Sequence, residues 1–235
     1  MNTEELIQKI ESKGYWRVVI RPTVFEEKRI KTFSDARKLV DSNKVSFGGW
    51  DYPFYDDNDV TIIENYIEGS VDWRHHMEYW RFFRSGQFLH LMALYEDHID
   101  LDGILPISYP PRPARTGYLS ILNVTHTVTE IFEFAARLGS KGALEPSVQI
   151  SVQLHNLDDH QLANFDKLSM FPDRYVRSSK AAIVYEVETT VQELISNSDD
   201  LALDGIVGIY ESFNWINPGR EPIAEDQRKL RERRI

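Results

Sequence analysis

The segment WRHHMEYWRFFRSGQFLHL, at residues 73–91, constrains the fold of this chain more than any other stretch. Large apolar residues fill most positions on both sides of Ser85-Gly86, a pair that is typical of a hairpin turn. The segment predicts a central β-hairpin, 76–84 paired with 87–95, whose strands are apolar on both faces and need a covering layer on each. A helix is the alternative, because the apolar residues of the first half also recur at helical spacing.

A two-residue turn at Ser85-Gly86 would also set the register of the hairpin. In that register Arg81 lies opposite His90, on an otherwise apolar face that also carries Tyr79. An unpaired guanidinium is not stable in a dry core. We therefore expect one of two outcomes: a carboxylate from a packing helix pairs with Arg81, or the face opens into a cleft for an anionic small ligand.

The adjacent histidines His75 and His76, with Glu78 two positions on, resemble the start of a metal site. In a strand, however, two neighbouring side chains point to opposite faces of the sheet, so the two histidines cannot both ligate one ion. Zinc needs at least three protein ligands, and no second histidine pair follows at ligand spacing. The sequence therefore predicts polar residues at a strand end, with no metal and no other cofactor.

Hydrophobic periodicity locates the other main elements. Apolar residues alternate as in strands at 15–21, 60–68, 147–155 and 181–188, and they recur as in a long helix at 119–138. Together with the hairpin, these segments predict an α+β fold. It has about seven strands, mostly antiparallel, with helices packed on the sheet.

The last third of the chain contains signals for two further helices. Thr190 and Glu193 form the pattern of a capping box and predict a short helix. Asp199 and Asp200 favour the positive start of the next helix. Two separate helices are therefore expected after the last strand.

Domain organisation follows from the same elements. We expect one α+β domain over 1–218, and the loop-like segment 99–117 would divide it into two halves if it is a boundary rather than a binding loop. The charged tail, 219–235, is expected to form a solvated helix or a frayed end. A basic helix that binds a partner is the alternative for this tail.

Composition excludes several classes of function. The chain has 235 residues and no cysteine, so thiolate nucleophiles, disulfides and cysteine-ligated metals are excluded. A net charge of −10 disfavours extended nucleic-acid binding, which usually needs a basic surface. No apolar run approaches the roughly 20 residues that span a bilayer, and the polar N-terminus resembles no signal peptide. We therefore expect no membrane contact and a cytoplasmic location.

Established catalytic signatures are absent from the sequence: there is no glycine-rich phosphate loop, nucleophile elbow or His-Glu-x-x-His helix. Acidic residues are nevertheless dense in the 51–64 segment, and carboxylates that converge can bind a divalent metal. These acids are Asp51, Asp56, Asp57, Asp59 and Glu64. They define the alternative function, a metal-dependent enzyme that processes nucleic acids or nucleotides, with Arg81 and His90 as supporting groups.

Four stretches of the chain resemble one bacterial domain. They are GYWRVVIRP at 14–22, GWDYP at 49–53, the hairpin segment at 73–91 and TEIFEFAARL at 129–138. This domain has no assigned activity and occurs at the C-terminal end of ATP-binding regulators whose N-terminal part is of the Schlafen/AlbA type. The resemblance implies a cytoplasmic prokaryotic accessory module in a regulatory or defence-related setting. We expect this chain to lack the ATP-binding part, so the resemblance transfers neither nucleotide binding nor catalytic residues.

The leading functional hypothesis is therefore a non-catalytic sensor or protein-interaction module with a protein partner. Arg81, His90 and Tyr79 are the candidate ligand- or partner-binding residues of the hairpin. Trp50 and Asp51 join them from the GWDYP stretch.

Overall fold

A computed structural model describes residues 2–56, 59–99, 117–164, 175 and 182–232. The helices are α1 (Thr3–Glu11), α2 (Phe33–Asn43), α3 (Ile121–Ser140), α4 (Val191–Glu211) and α5 (Arg220–Arg231), with a 3₁₀ turn at Tyr95–Asp97. The strands are β1 (Tyr15–Pro22), β2 (Thr61–Ile63), β3 (Tyr66–Trp73), β4 (His76–Phe83), β5 (Phe88–Ala93), β6 (Tyr118–Ser120), β7 (Ser147–His155), β8 (Gln161–Ala163) and β9 (Ile183–Thr190).

Seven of these strands form one sheet in the order β2-β3-β4-β5-β1-β7-β9, and all neighbours are antiparallel. The predicted α+β fold is confirmed. Strand β1 lies between β5 and β7, so strands from both sides of the 99–117 segment share one sheet. Residues 100–116 of that segment lie outside the described residues, and its role stays a prediction. Strands β6 and β8 form a small parallel pair.

The central hairpin is confirmed, but its turn differs from the predicted one. The Phe83 amide donates to the Gln87 carbonyl at 2.8 Å, and the Gly86 amide donates to the Phe83 carbonyl at 2.9 Å. The loop therefore contains three residues, 84–86, rather than two. Gly86 has φ +90°, the left-handed conformation that closes a three-residue hairpin loop.

The longer loop shifts the register by one residue and changes which side chains share a face. Arg81 pairs with Leu89, and His90 pairs with Trp80. Because successive residues of a strand point to opposite faces, Arg81 and His90 lie on opposite sides of the sheet. The prediction that they face each other on one side is therefore wrong.

Both faces of the hairpin are covered, as its composition predicts. On one face Trp80, Phe82 and Phe88 join the main core, where the Phe88 ring lies 5.0 Å from that of Phe134 on α3. On the other face α1 packs onto the hairpin and covers a smaller cluster. Its members are Leu6, Ile10, Met77, Tyr79 and Leu91.

One predicted strand and one predicted pair of helices differ from the structure. The 60–68 segment forms parts of two strands, β2 and β3, because the chain turns at Glu64, which has φ +33°. The two helices expected after β9 form one element, α4, with a kink at Asn197. The predicted cap is confirmed, since Thr190 Oγ1 accepts a hydrogen bond from the Glu193 amide at 3.1 Å.

The charged tail folds against the rest of the protein as α5. Ile223, Gln227 and Leu230 are buried, and Gln227 Nε2 donates to Thr129 Oγ1 on α3 at 3.1 Å. The tail therefore forms a helix over Arg220–Arg231, one of the expected forms, but one face of this helix is packed rather than solvated. Among the described helices, none combines the length and the apolar character needed to cross a membrane.

Candidate functional site

A pocket of about 600 Å³ opens where the β3–β4 turn, the loop over residues 48–52 and helix α3 meet. A volume of this size suits a small molecule. We call it the Trp50 pocket and define it by six lining side chains. They are Trp50, Tyr52, His76, Glu78, His126 and Glu130.

The loop that carries Trp50 is held at both ends by backbone hydrogen bonds. The Val45 amide donates to the Tyr52 carbonyl at 3.0 Å, and the Tyr52 amide donates back to Val45 at 2.7 Å. Glu130 of α3 fixes the middle, because its Oε1 atom accepts from the Phe47 amide at 3.2 Å and from the Gly48 amide at 3.1 Å. These bonds fix the position of the loop relative to α3.

Aromatic rings form one wall of the Trp50 pocket. The Trp50 indole stacks on the His76 ring, with centroids 5.1 Å apart and planes 17° apart. Its edge contacts Phe54 at 5.0 Å and Trp73 at 5.6 Å. Trp50 is nevertheless 50% exposed. One side of the ring is therefore supported by protein, and the other is accessible to a ligand.

Glu78 organises the base of this wall. Its Oε2 atom accepts hydrogen bonds from His90 Nε2 at 2.8 Å and from the Phe54 amide at 3.0 Å. Its Oε1 atom lies 2.7 Å from His76 Nε2, although this contact does not meet hydrogen-bond geometry. Burial alone would raise the pKa of Glu78, but the two histidines outweigh it and lower the pKa to about 2. Glu78 is therefore an ionised carboxylate engaged by three neighbours.

The surroundings of Glu130 raise its pKa, whereas those of Glu78 lower the pKa of that residue. Burial raises the pKa of Glu130 to about 7, and the charges of Glu78 and Asp51 act in the same direction, against the two backbone hydrogen bonds. Its second oxygen, Oε2, accepts no hydrogen bond from the described residues. Near neutral pH this carboxyl therefore interconverts between its acid and its carboxylate form.

Two further polar atoms, on residues that line the pocket, are buried and have no hydrogen-bond partner among the residues described. They are Tyr52 Oη and His126 Nε2. Burial lowers the pKa of His126, so its Nε2 atom is a donor or an acceptor according to tautomer. Buried polar groups normally have partners, and unpaired ones that line a single cavity indicate where a ligand's polar groups bind.

Replacing Glu130 by Gln should stabilise the protein at pH 8. A glutamine oxygen still accepts from the two backbone amides, whereas a buried carboxylate carries a desolvation penalty. That penalty is absent below about pH 4.5, grows as pH rises towards 7 and is complete above it, because the folded-state pKa is raised. We expect a gain of about 2–3 kcal/mol at pH 8 and almost none at pH 4.5, measured by urea denaturation.

Glu133→Gln is the matched control, one helical turn further along α3. Arg137 and Arg231 overcome the effect of burial there and lower the pKa of Glu133, so this variant should lose stability at pH 8. A Glu130→Gln protein that is no more stable than wild type at pH 8 would contradict the raised pKa.

The structure brings only some of the predicted site residues to the pocket. Trp50 and Asp51 line it, and Asp51 accepts a hydrogen bond from Ser46. His90 is fully buried behind Glu78 and lines no part of it. Arg81 and Tyr79 lie on the opposite face of the sheet, where Arg81 donates to the Tyr79 hydroxyl.

The carboxylate that pairs with Arg81 comes from the sheet and not from a packing helix. Arg81 Nε lies 3.5 Å from Glu68 Oε2, on the neighbouring strand β3. The Arg81 guanidinium also lies over the Tyr66 ring, 4.8 Å from its centroid. Arg81 is therefore paired within the protein, and the expected cleft for an anionic ligand does not form between Arg81 and His90.

The acids of the 51–64 segment are separated in space. Asp51 lines the Trp50 pocket, whereas Asp56 and Asp59 line a second pocket of about 460 Å³, together with Glu68 and Asp72. Glu64 lies in the β2–β3 turn, and Asp57 falls outside the described residues. Within the described ranges, no three histidine or acidic side chains are placed to hold a metal ion.

Sequence reasoning missed the part of the pocket that α3 contributes. Asn123, His126, Thr127 and Glu130 all line it. They recur at spacings of three and four residues, which places them on one side of a helix that is otherwise largely apolar. This polar stripe is visible in the sequence and is the signal that could have located the site.

No family model, curated protein or solved structure matches this chain. The fold and the site together define an α+β protein with an aromatic, acid-lined pocket at one end of its central hairpin. The chemistry of this pocket is therefore the best guide to the protein's function.

Proposed function

We propose that this protein is a non-catalytic sensor, which binds a small molecule in the Trp50 pocket and presents the bound state to a protein partner. The observation that carries the proposal is the convergence of unpaired polar atoms on one cavity. Tyr52 Oη and His126 Nε2 are buried, belong to residues that line the same pocket and have no hydrogen-bond partner in the described part of the chain. A ligand that pairs with them would remove an unfavourable feature of the folded state.

The state of the carboxyl groups favours recognition over catalysis. Glu78 is ionised and engaged by His76, His90 and the Phe54 amide, so it is poorly placed to accept a proton from a substrate. The chain has no cysteine, and among the described residues no serine or lysine lines the pocket. Glu130 has a pKa near 7, and its second oxygen, which accepts no hydrogen bond from the described residues, is suited to bind a ligand's donor group.

The rim of the pocket suits a role in signalling to a partner. Trp50, Trp73 and Tyr95 line the pocket and are 50%, 47% and 48% exposed, respectively. Aromatic side chains are enriched at protein interfaces, where they contribute much of the binding energy. A bound ligand would contact the same aromatic side chains that a protein partner binds. A prokaryotic regulatory or defence-related setting in the cytoplasm is the context that we propose for this partner.

Replacing Trp50 by Ala should abolish ligand capture and leave the fold intact. Trp50 is half exposed, so its loss removes little core packing but deletes the accessible ring. The wild-type protein, incubated with an extract of small metabolites and then desalted, should retain a compound that native mass spectrometry detects. Trp50→Ala should bind that compound at least tenfold more weakly, which corresponds to about 1.4 kcal/mol.

Phe25→Ala is the control, because Phe25 is an exposed aromatic residue outside the Trp50 pocket. This variant should retain the compound as wild type does. Equal retention by the Trp50→Ala protein would place the binding site elsewhere. If wild type retained no compound from extracts of several bacteria, the sensor proposal would fail.

A further inference from the structure

We propose that the ligand of the Trp50 pocket is a planar nitrogen heterocycle that carries an amino group and no phosphate. This inference depends on the proposed function, because it names the class of molecule that the same pocket binds. It follows from three properties of the wall: ring stacking, the pattern of donors and acceptors, and charge.

Ring stacking favours a flat ligand. His76 supports the Trp50 indole from one side at an interplanar angle of 17°, which holds the ring in a fixed orientation. The exposed half of Trp50 then offers a flat apolar surface at the mouth of the pocket. Aromatic ligands gain most from such a surface, because offset stacking adds to the burial of apolar area. A ring system of one or two fused rings also fits a cavity of about 600 Å³.

The pattern of donors and acceptors favours a heterocycle with an amino group. Glu130 Oε1 accepts from the Phe47 and Gly48 amides, which leaves Oε2 as an acceptor for a ligand N–H group. Tyr52 Oη and His126 Nε2 each donate or accept, and both are buried without a partner in the described ranges. The edge of an aminated heterocycle alternates N–H donors and ring-nitrogen acceptors, which matches this mixed set. A quaternary ammonium ion has no N–H group and would leave these atoms unpaired.

The charge of the wall disfavours phosphate. Within the part of the chain that the structure describes, four carboxyl side chains line the pocket, Asp51, Glu78, Glu96 and Glu130, against one arginine, Arg74. Glu78 is held ionised, so at least one of these charges is fixed close to the ligand. A phosphate group would be repelled in this surrounding, whereas a neutral or protonated heterocycle would not. The acid-lined wall therefore favours a neutral or protonated ligand over the anionic ligand that was expected from the sequence.

Calorimetric titration with purines tests the inference, at pH 8 because the pKa of Glu130 is about 7. The probes are adenine, hypoxanthine, adenosine, adenosine 5′-monophosphate and choline. Adenine should bind at least tenfold more tightly than hypoxanthine, which has a carbonyl in place of the amino group. Adenosine should bind at least tenfold more tightly than its 5′-monophosphate. Tighter binding of the monophosphate, or of choline, than of adenine would overturn the inference.

The variant Glu130→Gln tests the assigned acceptor directly. Its side-chain oxygen replaces Oε1 as the acceptor for Phe47 and Gly48, so an NH₂ donor then faces the ligand. The preference for adenine over hypoxanthine should fall at least tenfold or reverse. Glu133→Gln, on the same helix and outside the pocket, should keep the wild-type preference. An unchanged preference in Glu130→Gln would contradict the assignment.

The two proposals fail in different ways. If extracts yield a Trp50-dependent ligand that carries a phosphate or lacks a ring, the heterocycle is wrong and the sensor proposal stands. If neither the extracts nor any purine gives Trp50-dependent binding, both proposals fail.

Discussion

Replacing Glu78 by Ala should lower the free energy of unfolding by about 3–5 kcal/mol, because two hydrogen-bond donors lose a buried, charged acceptor at once. Glu78 is 4% exposed, and His90 behind it is fully buried. The variant would leave His90 Nε2 and the Phe54 amide without a hydrogen-bond acceptor, because both donate to Glu78. Urea denaturation at pH 7 measures the loss.

Glu188→Ala is the matched control, since Glu188 is an exposed glutamate on β9 of the same sheet. It should change the free energy of unfolding by less than about 0.5 kcal/mol, as surface substitutions usually do. If Glu78→Ala and Glu188→Ala unfold at the same urea concentration, Glu78 does not hold the base of the pocket.

Acid should remove the stability that Glu78 contributes. The folded-state pKa of Glu78 is lowered, so its contribution is complete above about pH 4.5 and declines as pH falls towards 2. Glu78→Gln does not titrate at this position. The comparison is made in a Glu130→Gln background, because the charge of Glu78 contributes to the raised pKa of Glu130. The stability difference between Glu130→Gln and the double variant with Glu78→Gln should shrink from pH 7 to pH 3. A constant difference would contradict the lowered pKa.

Replacing Trp80 by Ala should destabilise the protein by about 3–5 kcal/mol, as expected for truncating a large aromatic side chain in a core. Trp80 is 1% exposed, and its ring contacts that of Tyr55 at 4.9 Å. It also lies directly over Gly69 of β3, where a Cβ atom would come within 2.6 Å of the indole. The cavity left by alanine would therefore lie between two strands and the core, with little freedom to collapse.

Trp73→Ala provides the comparison within the same strand pair. Trp73 is 47% exposed at the end of β3, so its truncation should cost less than about 1.5 kcal/mol. Thermal or urea denaturation of the two variants in parallel gives the contrast. Equal losses at Trp73 and Trp80 would place Trp80 outside the core.

The location of the hairpin could be predicted from sequence, but its register could not. Aromatic residues on both sides of Ser85-Gly86 identify two buried strands, and this signal is local. Whether Arg84 belongs to the strand or to the loop depends on Gly86 adopting a positive φ in a three-residue turn. Since side chains alternate along a strand, this one residue decides that Arg81 and His90 lie on opposite faces.

Only part of the candidate site could be predicted from the sequence, because the rest depends on tertiary contacts. Trp50 and Asp51 belong to a conspicuous aromatic and acidic stretch, and both line the pocket. Tyr52, His126 and Glu130 acquire their character only from tertiary contacts. The pKa of Glu130 rises because folding buries this residue of α3 and brings it near Glu78 and Asp51, which are distant in sequence. Local patterns reveal the polar stripe on α3, but not which loop covers it.

The interior position of β1, between β5 and β7, has a consequence for the newly synthesised chain. Tyr15 of β1 pairs with Ala93 of β5 on one side and with His155 of β7 on the other. A ribosome therefore releases this interior strand before both of its neighbours, and the second neighbour is complete only after residue 155. Until then, β1 presents one row of unpaired backbone groups, the kind of edge through which unfinished chains associate. Pairing partners so far apart along the chain also slow the closure of the sheet.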